Sequence, residues 1–184
     1  MMFSANSAVS ANAALPLACF IVLAIIMIVE ARRAATNERT QRSRGGIEPP
    51  DDVYQLMQVA YPGIFIAMLT EGAVRGVVVT GLWFAIGLTI FLAAKILKWW
   101  AISELGPLWT FRVIVVPGSP SVGTGPYRIM RHPNYVAVVG EIVSVALMMR
   151  AVITGPLALV VFGMLLARRV AVENRVRDAI LRRG

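Results

Sequence analysis

Five apolar runs, each near the length of a bilayer's hydrocarbon core, limit what this chain can fold into. They cover residues 13–29, 53–70, 77–94, 135–149 and 155–167. A helix needs roughly 20 mostly apolar residues to cross that core, with a range of about 17–25. The second run holds Pro62, a natural kink point, and the fourth is short and carries Glu141. At 58% hydrophobic and only 15% charged, the chain has too little polar surface to be soluble. The runs therefore read as an all-α integral membrane protein of about five transmembrane helices, a single domain over residues 1–184. Thr154-Gly155-Pro156 reads as a tight turn that makes the last two runs a hairpin.

The basic residues give this layout a direction. Sixteen of the 18 lie in the first loop, in the stretch before the fourth run, or after the fifth, and only Arg75 and Arg150 fall on the opposite side. The positive-inside rule then places the N-terminus outside and the C-terminus inside. Nothing basic precedes the first run and Arg32-Arg33 follow it, so it reads as a span rather than a secretory signal. The net charge of +8 comes from these blocks, with no basic stripe among exposed aromatics, so nucleic acid is not the expected partner. Cys19 is the single cysteine and His132 the single histidine. That excludes an internal disulfide, a cysteine-based zinc cluster and a multi-histidine metal site, and no metal is expected.

Two polar segments share the inner face: the loop 105–134 and a C-terminal helix over residues 168–183. "KILKWWAISELG", which leads into the loop, reads as interfacial, with Trp99 and Trp100 at the membrane boundary. Residues 110–116 are β-prone, and the prolines and glycines that follow break any regular element. The loop ends in "GPYRIMRHPNY". Pro133 suits the first position of the fourth helix, which makes His132 the N-cap. Free backbone N–H groups and the helix dipole attract an anion there, and Arg128, Arg131 and His132 add donors. The same residues also read as ordinary positive-inside charges beside a capped helix start. Arg169 and Glu173 are four apart and share a helix face. They read either as a cation and a carboxylate aimed at a ligand, or as a surface ion pair with snorkelling arginine. Glu141, inside a membrane run, reads as a catalytic base or as a hydrogen-bonded structural group.

The pattern G-x-Y-x(3)-R-H-P-x-Y, an apolar hairpin and then "RVAVEN" resembles the isoprenylcysteine carboxyl methyltransferase family, and most of all its short bacterial members. The likeness covers residues 105–175. It implies a multi-span membrane enzyme that moves a methyl group from S-adenosylmethionine to a lipophilic acceptor without a Rossmann domain. Carried over by motif, Ser119, Pro120, Ser121 and Val122 would line the cofactor, together with Tyr127, Arg131, His132, Pro133, Asn134, Tyr135 and Glu173. Arg169 would orient the acceptor, with Glu141 as a further catalytic group. The family's acidic pair reads Glu173-Asn174 here, and the chain ends at Gly184 without the eukaryotic tail. The expected acceptor is thus a small lipid entering from the bilayer, an isoprenoid carboxylate or an alkylpyrone or alkylresorcinol hydroxyl. The expected location is a bacterial inner membrane, in contact with its lipids. A sterol-reductase-like enzyme using NADPH and a lipid-binding protein without catalysis are the competing readings.

Overall fold

The computed structural model describes residues 3–76, 81–119 and 122–181, with side chains for residues 16–76, 81–119 and 122–176. Five helices dominate: α1 (Phe3–Ser43), α2 (Tyr54–Val74), α3 (Leu82–Leu105), α4 (Pro133–Met148) and α5 (Thr154–Leu181). Two short 3₁₀ turns, Gly106–Leu108 and Gly125–Arg128, lie in the loop between α3 and α4. Among the described residues the β structure is one antiparallel bridge, Ile47 with Val115. Three stretches are long and apolar enough to cross a membrane: Tyr54–Val74, Leu82–Leu108 and Thr154–Val176. The apolar α4 is shorter, at 16 residues. The protein is an all-α integral membrane protein. Its outward-facing Leu17, Ile21, Ile25, Leu92, Leu157 and Met164 suit lipid contact.

The helices run further than the apolar runs. No glycine or proline separates Leu88 from Leu105, so α3 continues through the "KILKWW" stretch and stops only at Gly106-Pro107, where Gly106 takes φ 54°. The fifth run and the C-terminal segment are likewise one helix, α5, because nothing between Leu165 and Asn174 breaks it. The turn between α4 and α5 lies at residues 149–153 instead of at Thr154-Gly155-Pro156, which already belong to α5. Glu71 of α2 explains that start. Its carboxylate accepts the backbone N–H groups of Ile153 and Thr154, at 3.2 and 2.8 Å, and the Thr154 hydroxyl at 2.6 Å. These would otherwise be orphan donors at a helix N-terminus.

The tightest packing joins α3 to α4. A Cβ on Gly87 would come within 2.7 Å of Met148 Cγ and of the Ser144 carbonyl oxygen, and one on Gly140 within 3.1 Å of Ala94 Cβ. Small residues let these backbones approach, as is usual where lipid gives no hydrophobic drive between helices. The core is built from Phe65 and Met68 of α2, Phe91 of α3, Ile142 and Val145 of α4, and Phe162 and Leu165 of α5. At the end that bears the loops, α1 is tied to the segment after α3 by side-chain amides. Asn37 donates to the Gly106 and Trp109 carbonyls, and Gln41 to the Pro107 carbonyl.

Lys95 and Lys98 are not loop charges. Both point into the bundle and meet Glu30 of α1 and Glu141 of α4. Glu30 and Glu141 are each 1% exposed and Lys98 is 2% exposed. The four charges cancel, with N···O distances of 2.7–3.3 Å. The Tyr61 hydroxyl of α2 also donates to Glu141. These two lysines are partners of buried carboxylates and so add little to the positive-inside asymmetry.

Candidate active site at the starts of α2 and α4 and along α5

Two helices begin, and the middle of a third passes, at one place. Pro133 occupies the first turn of α4 with His132 as its N-cap, and the His132 side chain makes no capping bond. Its ring is therefore available to its neighbours. It stacks on Tyr135, with centroids 5.2 Å apart and 15° between planes, and His132 Nδ1 lies 3.4 Å from Glu173 Oε2. The Tyr135 hydroxyl donates to Glu173 Oε1 and accepts from Arg169 Nε at 2.8 Å. Arg169 Nε also reaches Glu173 Oε1 at 3.3 Å, across one turn of α5. The single histidine, the N-terminal turn of α4 and the i,i+4 pair of α5 thus form one connected group.

Asp52, just ahead of α2, completes it and was not picked out from the sequence. Its Oδ1 accepts Arg169 Nη1 at 3.3 Å. The signal was there: Asp51-Asp52 is an acidic pair between Pro49-Pro50 and the second apolar run, on the face that carries the arginines. Asp51 pairs with Arg175, whose hydrogen bond holds the Asp51 carboxyl below its ordinary range.

Tyr127 sits half-buried in the second 3₁₀ turn, where its backbone N–H bonds the Thr124 carbonyl at 3.1 Å. Burial pushes its phenol well up, and the nearby Glu173 charge adds to that, so Tyr127 stays protonated at neutral pH. Gly125, at φ 56°, sets the turn, and a Cβ there would meet the Glu104 carboxylate at 2.7 Å. Ser119 and Val122 lie partly buried upstream, whereas Pro120 and Ser121 fall outside the described residues. Arg131 is exposed, one position before His132, and makes no ion pair among the described residues. Glu141 belongs to the buried ionic layer, eight residues or about 12 Å along α4 from Pro133.

Two polar atoms, Asn134 Oδ1 in the first turn of α4 and Ser119 Oγ in the loop ahead of it, are shut from solvent and lack a hydrogen-bond partner among the described residues. Buried polar atoms are nearly always paired, so each orphan calls for a partner. A ligand with hydroxyl and amino groups would supply one. Glu173, Asp52, Tyr127 and Tyr135 suit a cationic ligand, by charge or by aromatic face, and His132 with the start of α4 suits an anionic group on the same ligand.

Residues 85–177 match the isoprenylcysteine carboxyl methyltransferase (ICMT) family. The chain belongs to this family. The matched segment begins in α3, ends in α5 and contains every residue of the cluster except Asp52. The protein is accordingly a membrane methyltransferase by family. It is also similar to the Bacillus subtilis (strain 168) protein named "Uncharacterized protein YpbQ", at 29% identity over 159 residues, which are 85% of this chain and 94% of that one. A Haemophilus influenzae protein named "Uncharacterized protein" is 23% identical over 139 residues, 75% of this chain and 80% of its own. No solved structure matches.

Proposed function

We propose that this ICMT-family protein transfers a methyl group from S-adenosylmethionine to an oxygen of a small lipophilic acceptor. The observation that carries this reading is the convergence of His132, Tyr135, Arg169 and Glu173 at the start of α4, where Asn134 Oδ1 is buried without a partner among the described residues. When bound, S-adenosylmethionine supplies an electrophilic methyl on a sulfonium. Glu173 holds the amino group, while His132 and the N-terminal turn of α4 hold the carboxylate. Tyr127 and Tyr135 face the adenosine or the sulfonium, and Asn134 and Ser119 take up hydroxyl or amino donors. By motif, Pro120, Ser121, Val122 and Arg131 are assigned to the same cofactor.

Arg169 directs the acceptor oxygen. It is 5% exposed and in contact with α2 and α4, so its charge acts in a site poor in water. Opposite charges cancel as an anionic oxygen meets a sulfonium, and a dry site favours that step. Holding the two reactants in line is worth on the order of 7–11 kcal/mol in well-oriented cases. The acceptor, an isoprenoid carboxylate or an alkylpyrone or alkylresorcinol hydroxyl, enters sideways from the bilayer. Glu141 is fully engaged with Lys95, Lys98 and Tyr61, and we assign it to the ionic layer rather than to proton abstraction. The positive-inside count supports a site on the cytoplasmic side, and we propose a bacterial inner membrane as its location.

Calorimetry on the detergent-purified protein tests this reading. S-adenosylmethionine should bind and NADPH should not, and His132→Ala should weaken binding about tenfold, or about 1.4 kcal/mol. Binding of NADPH alone would favour a reductase. Absence of both, with Arg169→Ala and Glu173→Ala without effect on function, would favour a lipid-binding protein.

A further inference from the structure

We propose that Asp52 is a positioning residue for the reaction: it fixes the Arg169 guanidinium so that one edge is presented to the acceptor. The inference rests on the methyltransferase reading above. Asp52 lies outside the family-matched residues 85–177, so the motif gives it no role, and the structure assigns one.

The Asp52 side chain is 3% exposed. Its contacts join three separate segments. Oδ1 accepts the Tyr54 backbone N–H at 3.1 Å and Arg169 Nη1 at 3.3 Å. Oδ2 accepts the Val113 backbone N–H at 2.8 Å. The start of α2, the loop after α3 and α5 therefore meet at one carboxylate. The Tyr54 and Val113 N–H groups each take one of the two oxygens, and two backbone donors call for acceptors but not for a full charge. A buried carboxylate carries a desolvation cost that those two backbone bonds alone do not require. Arg169 is the cation in contact with it, and that contact gives the charge its purpose.

The geometry specifies what the contact does. Tyr135 and Glu173 hold Arg169 at Nε. A guanidinium held at one nitrogen can pivot about that bond, and a second contact at Nη1 fixes its plane. Nη2 makes no hydrogen bond among the described residues, so both of its N–H groups are left for the acceptor oxygen. Around Asp52 the same segment is clamped on both sides. Ile47 and Val115 exchange two backbone bonds of 2.9 Å, Glu48 pairs with Arg112 at 2.6 Å, and Asp51 pairs with Arg175. The loop between α1 and α2 thus holds Asp52 in place as a rigid brace. A displacement of about 1 Å in a positioning group can cost on the order of 100-fold in rate.

The test uses the full chain in detergent, labelled S-adenosylmethionine, and two acceptor probes, S-farnesyl-N-acetylcysteine and 5-pentadecylresorcinol. Asp52→Asn removes the charge and keeps one of the two acceptor oxygens, so a buried backbone bond is lost with it. It should lower kcat for a methylated probe by about 10–100-fold and raise the acceptor KM, with a lower Tm but S-adenosylmethionine affinity near wild type. Asp52→Glu should recover part of the rate. A readout independent of activity is the rotation of the Arg169 guanidinium about Nε–Cζ, followed by ¹⁵N NMR, which should speed up in Asp52→Asn. The proposal is overturned by unchanged kinetics and unchanged guanidinium rotation. It is also overturned if cofactor affinity falls by the same factor as kcat, the mark of a site that has merely loosened. A wild-type protein that binds no S-adenosylmethionine sinks the methyltransferase reading instead, and slowed guanidinium rotation that depends on Asp52 then tests the brace by itself.

Discussion

Two polar clusters lie along α4, and they are built on opposite plans. The deeper one, Glu30, Lys95, Lys98 and Glu141, balances two carboxylates against two ammonium groups and is closed by Tyr61. The one at the start of α4 sets Arg169 against Asp52 and Glu173, keeps Glu173 and His132 about a quarter exposed, and leaves Ser119 Oγ and Asn134 Oδ1 without partners. The presence of charge does not distinguish them, since both are ion-pair networks with members from several helices. What differs is charge balance and exposure: the deeper cluster pairs two carboxylates with two ammonium groups largely out of solvent, and the other opens to solvent at Glu173 and His132. A balanced network shut from solvent specifies packing, and an open one has room for a ligand.

The strongest way to break this comparison is to damage the closed cluster. Lys98→Met should destabilise the protein by about 3–5 kcal/mol, because it leaves a buried carboxylate unpaired. The double variant Lys98→Met/Glu141→Leu should recover much of that loss, since removing both partners restores neutrality. Thermal unfolding in detergent measures both. Should the double variant stay folded and still methylate its acceptor, Glu141 has no catalytic part; loss of turnover in a stable double variant would return it to the reaction.

The open cluster should answer differently. Glu173→Gln removes a charge and keeps the shape. It should weaken S-adenosylmethionine by about 10–100-fold, or about 1.4–2.7 kcal/mol, and shift Tm much less than Lys98→Met does. Equal losses of stability at the two clusters would mean that both are structural and that the contrast drawn here is wrong.

The smallest effect belongs to the brace around Asp52. Burial tends to raise the Glu48 carboxyl, but hydrogen bonds from Arg112 and Arg42 override it and hold it below its ordinary value of 4.5. A carboxyl lowered on folding contributes stability that is fully present above 4.5 and is lost as pH falls through the lower folded value. Glu48→Gln should therefore cost less than about 1 kcal/mol at neutral pH. The Tm difference from wild type should shrink as pH falls below 4.5, and a difference that stays constant into acid would show that the ion pairs contribute nothing there.

Much of this protein is set along the chain itself. Apolar runs near the bilayer thickness dictate membrane helices, because backbone groups in lipid must be paired within the segment. Pro133 marks the start of α4, since its missing N–H and fixed φ suit the first helical turn, and that makes His132 the N-cap. The i,i+4 spacing puts Arg169 beside Glu173. These are local facts of period and covalent geometry. Helix length was less legible: hydropathy ends where polar residues begin, but α3 continues to Gly106-Pro107 and α5 runs on through its charged residues. Only the tertiary structure decided which charges meet. Lys95 and Glu30 are 65 residues apart, and Asp52 and Arg169 are 117 apart. Nothing in spacing or composition joins them, because their pairing depends on how α1, α2 and α5 dock around the close α3–α4 contact. That docking made Lys98 and Glu141 mutual partners in the interior and left Asp52, which no motif marked, holding the arginine of the site.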